Sequence, residues 1–257
     1  MNDLIFDTHA HYDDSAFDSD RDLLLSLLPE QGVCGVLNAG TNILSSKKSI
    51  ELSKKYPYVY SAVGIHPECV SVSDTNLEIL KDLSKDKKVI AVGEIGLDYH
   101  YSQENKNLQI DFFEKQILIA NELSLPILVH DREAHMDTLN LLKNYQPKGV
   151  VHCFSGSLEM AEEILKLGMF IGVGGVVTFK NAKKLVQVVK EVPLESILLE
   201  TDAPYMAPVP NRGKRCDSSY IKFTAQKIAE IKNKSYEEVL LQTKSNALKL
   251  FRLEESL

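Results

Sequence analysis

The stretch Leu4-Ile5-Phe6-Asp7-Thr8-His9-Ala10-His11 joins an apolar run to a His-x-His pair, and the rest of the chain repeats its form. A short apolar run that ends in polar side chains suits a strand buried along its length, with its last residues emerging at one end. Strand side chains alternate between faces, so Asp7, His9 and His11 are expected on one face and Thr8 and Ala10 on the other. Two imidazoles two residues apart can grip one cation, and histidine is the commonest metal ligand. Taken alone, the pair reads better as two surface histidines near the start of a chain. The endings of the other apolar runs decide between these readings.

Seven further runs follow: Val33 to Ala39, Val59 to Ile65, Val89 to Ile95, Pro126 to His130, Gly149 to Phe154, Met169 to Val173 and Ile197 to Thr201. They are near-continuous and rich in Val and Ile, as parallel strands covered on both faces are. Helical spacing fills the gaps, over Asp20 to Leu28, Ser45 to Lys55, Thr75 to Leu83, Leu108 to Leu123, Asp137 to Tyr145, a helix opened by Ser157, and Ala182 to Val189. The longest carries Ile110, Phe113, Ile117 and Ala120 along one stripe. Strand then helix, eight times, predicts an α/β fold, a (β/α)8 TIM barrel. A doubly wound open sheet is the alternative, and it normally has fewer strands. Beyond the eighth run, Tyr220 to Ile231 and a helix opened by the capping box Ser235-Tyr236-Glu237-Glu238 are extra C-terminal helices, expected to complete the outer ring. With no interdomain linker or low-complexity tract, residues 1–257 are expected to form a single barrel domain.

Composition narrows the function. The chain has 257 residues, 44% of them hydrophobic, and a net charge of −7. A global basic footprint for nucleic acid is thereby excluded, so a polyanionic substrate must be held by local basic groups or by cations. Cys34, Cys69, Cys153 and Cys216 lie far apart with no CxxC spacing, which reads as reduced thiols in a cytosolic protein. A signal peptide is not expected, and no apolar run is long enough to span a bilayer. The expectation is a cytoplasmic monomer with no membrane partner.

In such barrels the active-site residues stand at the C-terminal ends of the strands. The first run ends in His9 and His11, the third in His66, the fourth in Glu94, the fifth in His130, the sixth in His152 and the eighth in Asp202. His9, His11, Glu94, His130, His152 and Asp202 make six metal-type ligands at five strand ends. Parity agrees: His130 pairs with Leu128, His152 with Val150, Glu94 with Val92 and Ile90, and Asp202 with Glu200. Asp7 and Glu200 then lie one layer deeper, either fixing histidine tautomers behind the ligands or as buried carboxylates satisfied by backbone donors. Six ligands exceed one tetrahedral cation with an open position. They suit two divalent cations sharing a bridging carboxylate. Asp202 can also accept a proton from a nucleophilic water, so Asp202 and Glu94 are the catalytic candidates.

These residues stand in motifs that run almost end to end: Phe6-Asp7-Thr8-His9-Ala10-His11, Gly64-Ile65-His66-Pro67, Gly93-Glu94-Ile95-Gly96-Leu97-Asp98-Tyr99, Pro126-Ile127-Leu128-Val129-His130 with Arg132-Glu133-Ala134, His152-Cys153-Phe154-Ser155-Gly156, Leu199-Glu200-Thr201-Asp202-Ala203-Pro204-Tyr205 and Arg212-Gly213-Lys214-Arg215. Together they resemble the TatD family of metal-dependent deoxyribonucleases, among the amidohydrolase-like barrels. The resemblance implies a distorted TIM barrel and a nuclease that removes nucleotides from DNA, often 3′→5′. It also implies one cation on His9, His11, Glu94 and Asp202 and a second on Glu94, His130 and His152. Glu94 then holds the place of the carbamylated lysine that bridges the metals in related amidohydrolases. The chain departs from the family where Cys216-Asp217-Ser218 replaces the usual Asn-Glu-Pro, a loop expected to border the mouth.

Around the ring, Arg132 suits bidentate contact with phosphate, against a surface pairing with Glu133. Arg212, Lys214 and Arg215 form a basic cluster that either follows a nucleic-acid backbone or is a solvated loop. His66 is a substrate contact or proton donor to the leaving group, or else packs its own loop. Tyr99 and Tyr205 can stack a base or pack the rim. The metal could be Mg, Mn or Zn; imidazole-rich sites favour Mn or Zn over Mg intrinsically. The leading function is hydrolysis of DNA phosphodiesters at ends or single strands. The alternative is an amide or ester hydrolase such as a D-aminoacyl-tRNA deacylase, because the metal ring alone does not distinguish carbon from phosphorus. A non-catalytic metal-supported binding protein is the third reading.

Overall fold

The apolar runs are strands, and they lie side by side in sequence order: β1 (Ile5–Ala10), β2 (Val33–Ala39), β3 (Val59–Val63), β4 (Val89–Asp98), β5 (Ile127–Arg132), β6 (Gly149–Val151), β7 (Phe170–Val173) and β8 (Ile197–Leu199). This computed structural model describes residues 4–71, 77–100 and 104–253. Each neighbouring pair is parallel. A parallel bridge between Ala10 and Ala203 joins the two ends of the sheet. There the Asp202 N–H donates to the His9 carbonyl at 2.9 Å and the His11 N–H to the Ala203 carbonyl at 2.7 Å. The sheet is therefore a barrel, closed most tightly at its C-terminal mouth, and the open-sheet alternative falls away.

The helices are α1 (Arg21–Leu27), α2 (Ile43–Lys55), α3 (Leu77–Leu83), α4 (Lys106–Leu123), α5 (His135–Tyr145), α6 (Leu158–Lys166), α7 (Lys183–Glu191), α8 (Ile221–Lys232) and α9 (Tyr236–Phe251). Local chemistry sets several starts: Asn42, Ser157 and Ser235 each cap the helix that follows, and Ser235 with Glu238 closes a full capping box. Thr75 and Asn76, expected to open the third helix, lie outside the described residues.

Two apolar layers hold the barrel. Outward residues such as Val36, Val129, Val151 and Leu199 pack against the helices. Inward residues, among them Phe6, Leu37, Leu128, Val150 and Leu198, form a second layer with Ala247, Leu248, Leu250 and Phe251 of α9. The expectation that both tail helices complete the outer ring is corrected here for α9. Its last turn joins the interior layer, with Phe251 stacked on Phe6 at 6.2 Å between centroids.

Strict alternation fails in two strands that carry the site. The pairing of β1 with β2 shifts between Asp7 and Ala10, and that of β4 with β5 shifts between Val92 and Ile95. An extra residue at such a bulge re-aims every side chain beyond it. Phe6 and His9 thus both point inward, whereas Val92 packs outward and Glu94 inward. The shared face expected for Asp7 with His9, and for Val92 with Glu94, is not formed.

Candidate metal centre

At the C-terminal mouth, side chains from β1, β4, β5, β6 and the end of β8 converge. Glu94 is their hub, 3% exposed. Its Oε2 lies 3.3 Å from His9 Nε2 and 3.4 Å from His11 Nε2. Its Oε1 lies 2.7 Å from His152 Nε2, 2.8 Å from His130 Nδ1 and 3.5 Å from His66 Nε2. Asp202 Oδ1 closes the first group, 3.3 Å from His11 Nε2 and 3.9 Å from His9 Nε2. All six expected ligands are therefore brought together, with His66 beside them.

The backbone serves this convergence. Asp202 and Cys153 stand just past their strands at φ 60° and 44°, conformations that cost energy for a non-glycine residue. Gly96, at φ 146°, lets β4 approach β5, because a Cβ there would lie 2.0 Å from the His130 carbonyl oxygen. The extended β4 carries Asp98, which sequence reasoning left without a role. Its Oδ2 meets His130 Nε2 at 2.9 Å, so His130 turns Nδ1 to Glu94. The signal for Asp98 was its place two and four residues beyond Gly96 and Glu94 on a strand that continues past the expected end.

Electrostatics match a cation site. Burial would raise the Glu94 carboxyl, but His152, His66, His9 and His130 overrule it and hold it well below the usual range. Burial would likewise lower His11 and His130. Asp202 and Glu94 push His11 up to about 10, and Asp98 and Glu94 push His130 up to about 10. Burial, reinforced by His152, brings His9 down to about 4. Burial would raise Asp202, but its hydrogen bond to His11 keeps it an anion. Two pairs of ring nitrogens approach each other, His9 Nε2 to His11 Nε2 at 3.2 Å and His130 Nδ1 to His152 Nε2 at 3.3 Å. Lone pairs converging this closely around a carboxylate are a donor set that a divalent cation fits. The groups His9–His11–Glu94, His9–His152–Asp202 and His66–Glu94–His130 each present ligand atoms within 4.8 Å of one another.

Asp7 takes no part in this ring. Its carboxylate accepts from the backbone N–H groups of His9 and Thr201 and from the hydroxyls of Thr201 and Ser218. It ties β1 to the end of β8, which is the second of the two roles expected for it. Cys216 and Ser218 of the departing loop are buried rather than set on the mouth, and the Ser218 hydroxyl bonds Asp7 and Tyr12.

A cavity of about 900 Å³ opens above the cluster, lined by His66, Arg132, Lys184, Tyr205 and Met206 among others. The Arg132 guanidinium lies 4.0 Å from Asp98, and Glu133 pairs instead with His100 at 2.7 Å. His66 Nδ1 accepts the Glu68 N–H, which leaves the ring proton on Nε2, facing the site. Arg212 is not brought to the cavity: it is exposed and stacks on Phe179 at 4.4 Å. Arg215 pairs with Asp20 at 2.5 Å and Lys214 with Asn211 at 3.2 Å, so the basic cluster is engaged with its own surroundings. Tyr99 is buried and bonds Asp137, while Tyr205 is half exposed and bonds Asp14. No disulfide links the four cysteines among the described residues. No helix among the described residues is long and apolar enough to cross a membrane.

A parallel eight-stranded barrel with histidines and carboxylates gathered at its C-terminal mouth defines a metal-dependent hydrolase. The chain belongs to the TatD family: the profile described as "TatD related DNase" matches residues 6–252. It is 39% identical to the uncharacterized metal-dependent hydrolase YabD of Bacillus subtilis over 97% of this chain and 100% of that protein. It is 33% identical to the 3′-5′ ssDNA/RNA exonuclease TatD of Erwinia tasmaniensis over 97% of this chain and 100% of that one. Among solved structures, the TatD homologue YjjV of Escherichia coli superposes with a TM-score of 0.91 at 31% identity, covering 99% of this chain and 100% of that chain.

Proposed function

We propose that this hydrolase cleaves phosphodiesters of single-stranded nucleic acid, DNA foremost, removing nucleotides 3′→5′ with two divalent cations. His9, His11, Glu94 and Asp202 would hold the first cation, and Glu94, His130 and His152 would hold the second. The observation that carries this reading is the division of Glu94, whose Oε2 faces His9 and His11 while Oε1 faces His130 and His152. A carboxylate that presents each oxygen to its own pair of imidazoles would let each half of the ring hold a divalent cation. The name of the Erwinia relative supports the substrate and the direction.

Bound cations would acidify a water and neutralise charge gathering on a phosphodiester. Asp202, kept ionised by His11, accepts the proton of the attacking water at its carboxylate. His66 offers its Nε2–H to an oxygen of the phosphate or of the leaving group. Arg132, on the wall of the cavity, grips a phosphate through its planar fork. Tyr205, half exposed at the mouth, gives a base a face to stack on.

The test is a side-by-side assay of metal-stripped and Mn-reconstituted protein on a single-stranded DNA, the matching RNA and an aminoacyl-tRNA ester. Cleavage of the DNA from its 3′ end, silenced by EDTA and abolished in Asp202→Ala without loss of DNA binding, is the expected result. Turnover of the ester alone moves the assignment to the deacylase reading. Near-normal turnover by Asp202→Ala removes Asp202 as base.

A further inference from the structure

Three buried side-chain atoms among the described residues lack a hydrogen-bond partner: His9 Nδ1, His152 Nδ1 and Glu200 Oε2. Two of them belong to neighbours. His152 Nδ1 lies 4.0 Å from Glu200 Oε1, and the side chains are only 4% and 1% exposed. A buried carboxylate with an unsatisfied oxygen is costly unless something uses it. Asp7 shows what a purely structural carboxylate looks like in the same mouth, with its oxygens taken up by two backbone N–H groups and two hydroxyls. Glu200 has one such bond, from the Cys153 N–H to Oε1 at 2.5 Å.

The adjacent ring shows the completed form of the same arrangement. His130 keeps one nitrogen on Glu94 and gives the other to Asp98 at 2.9 Å. His152 keeps Nε2 on Glu94 at 2.7 Å and aims Nδ1 toward Glu200. The backbone makes room for this second carboxylate. A Cβ on Gly172 would lie 2.2 Å from Glu200 Oε2, so any larger residue would drive the carboxylate off its position.

We propose that Glu200 is a positioning residue that receives the Nδ1–H of His152 and thereby holds His152 Nε2 on the second cation, as Asp98 does for His130. This rests on the two-cation reading above. Closing the gap to hydrogen-bond length takes a movement of about 1 Å, and the stacked His9 ring, 3.9 Å away and 8° from parallel, confines that movement to the plane of the ring. A carboxyl group that accepts from a ligating imidazole fixes its tautomer and strengthens its lone pair, and removing one weakens metal affinity by about 10–100-fold.

The experiment titrates metal-stripped protein with Zn²⁺ against a chromophoric chelator, in wild type, Glu200→Gln, Glu200→Ala and Gly172→Ala. Wild type is expected to take up two equivalents. In each variant one equivalent keeps its affinity, and the other weakens by about 10-fold in Glu200→Gln and up to about 100-fold in Glu200→Ala. Glu200→Gln keeps an acceptor for the Cys153 N–H, so its thermal midpoint stays near that of wild type, and it decides the matter if Glu200→Ala does not fold. If Glu200 merely braces the Cys153 backbone, Glu200→Ala lowers the midpoint, Glu200→Gln restores it and zinc affinity is unmoved in both; that result overturns the proposal. Uptake of a single equivalent by wild type overturns the two-cation reading itself, and with it this inference.

Discussion

His11 and His130 act as the counter-charges of the metal-free site, which makes its stability depend on pH in a stated direction. Both are raised from 6.5 to about 10 by the carboxylates around them. A raised histidine stabilises the fold fully below its unfolded pKa of about 6.5, and that contribution is lost as pH climbs through the folded value. The metal-free protein is therefore expected to lose thermal stability between pH 7 and about 10. Metal-loaded protein, in which cations take the place of those protons, is expected to show a flatter profile. Parallel thermal scans with EDTA and with Zn²⁺ check this; identical slopes would mean that the histidines do not balance Glu94, Asp98 and Asp202. Arg132 carries a separate expectation. Arg132→Ala should weaken single-stranded DNA binding and lower the log–log salt slope by about 0.7, one phosphate contact, with metal uptake unchanged. The candidate ligands were legible in the sequence because each ends an apolar run. Asp98 carried only its parity with Glu94 and Gly96, because nothing in Gly93-Glu94-Ile95-Gly96-Leu97-Asp98 marks how far the strand continues. For Asp7 two roles stayed open, because the hydrophobic pattern does not reveal the shift that separates it from His9.

At the scale of elements, α9 departs furthest from its expected place. Its start was legible because a capping box is local chemistry, Ser235 to Glu238. Its destination was not, since an amphipathic helix reads the same whether it covers the ring or reaches the interior. Leu248, Leu250 and Phe251 pack with inward side chains of the strands, including Phe6, Leu37 and Leu198. These residues lie toward the opposite end of the strands from the metal centre, so stability and chemistry should separate here. Phe251→Ala leaves a void at a fully packed position, and such truncations cost about 3–5 kcal/mol. Urea unfolding should show that loss as a lower midpoint at unchanged slope. Metal uptake and turnover per folded molecule should stay at wild-type values. A variant that lost zinc affinity in proportion to its stability would mean that the interior layer couples to the mouth.

For the whole molecule, the sequence distance between candidate ligands is the point: His9 lies on the first strand of the sheet and Asp202 just past the last, and closure joins them through the bond from the Asp202 N–H to the His9 carbonyl. The barrel was legible as eight apolar runs alternating with helical spacing. The closure that makes one site of five strand ends follows from that count. An unfolded chain cannot present such a set, so cations bind the folded state almost alone and stabilise it by RT ln(1 + [M]/Kd) per site. At free metal 1,000-fold above Kd this is about 4 kcal/mol for each cation. For a protein of this size each kcal/mol moves the midpoint by about 2–4 °C. Saturating Zn²⁺ should therefore raise the thermal midpoint by about 10 °C or more. The rise should shrink in His9→Ala, which removes a ligand from the first strand, and in Asp202→Asn, which removes one from just past the last. It should persist in Phe251→Ala, where the ligands are intact on a weakened barrel. An equal rise in His9→Ala and wild type would place the bound zinc somewhere other than the mouth where the chain's two ends meet.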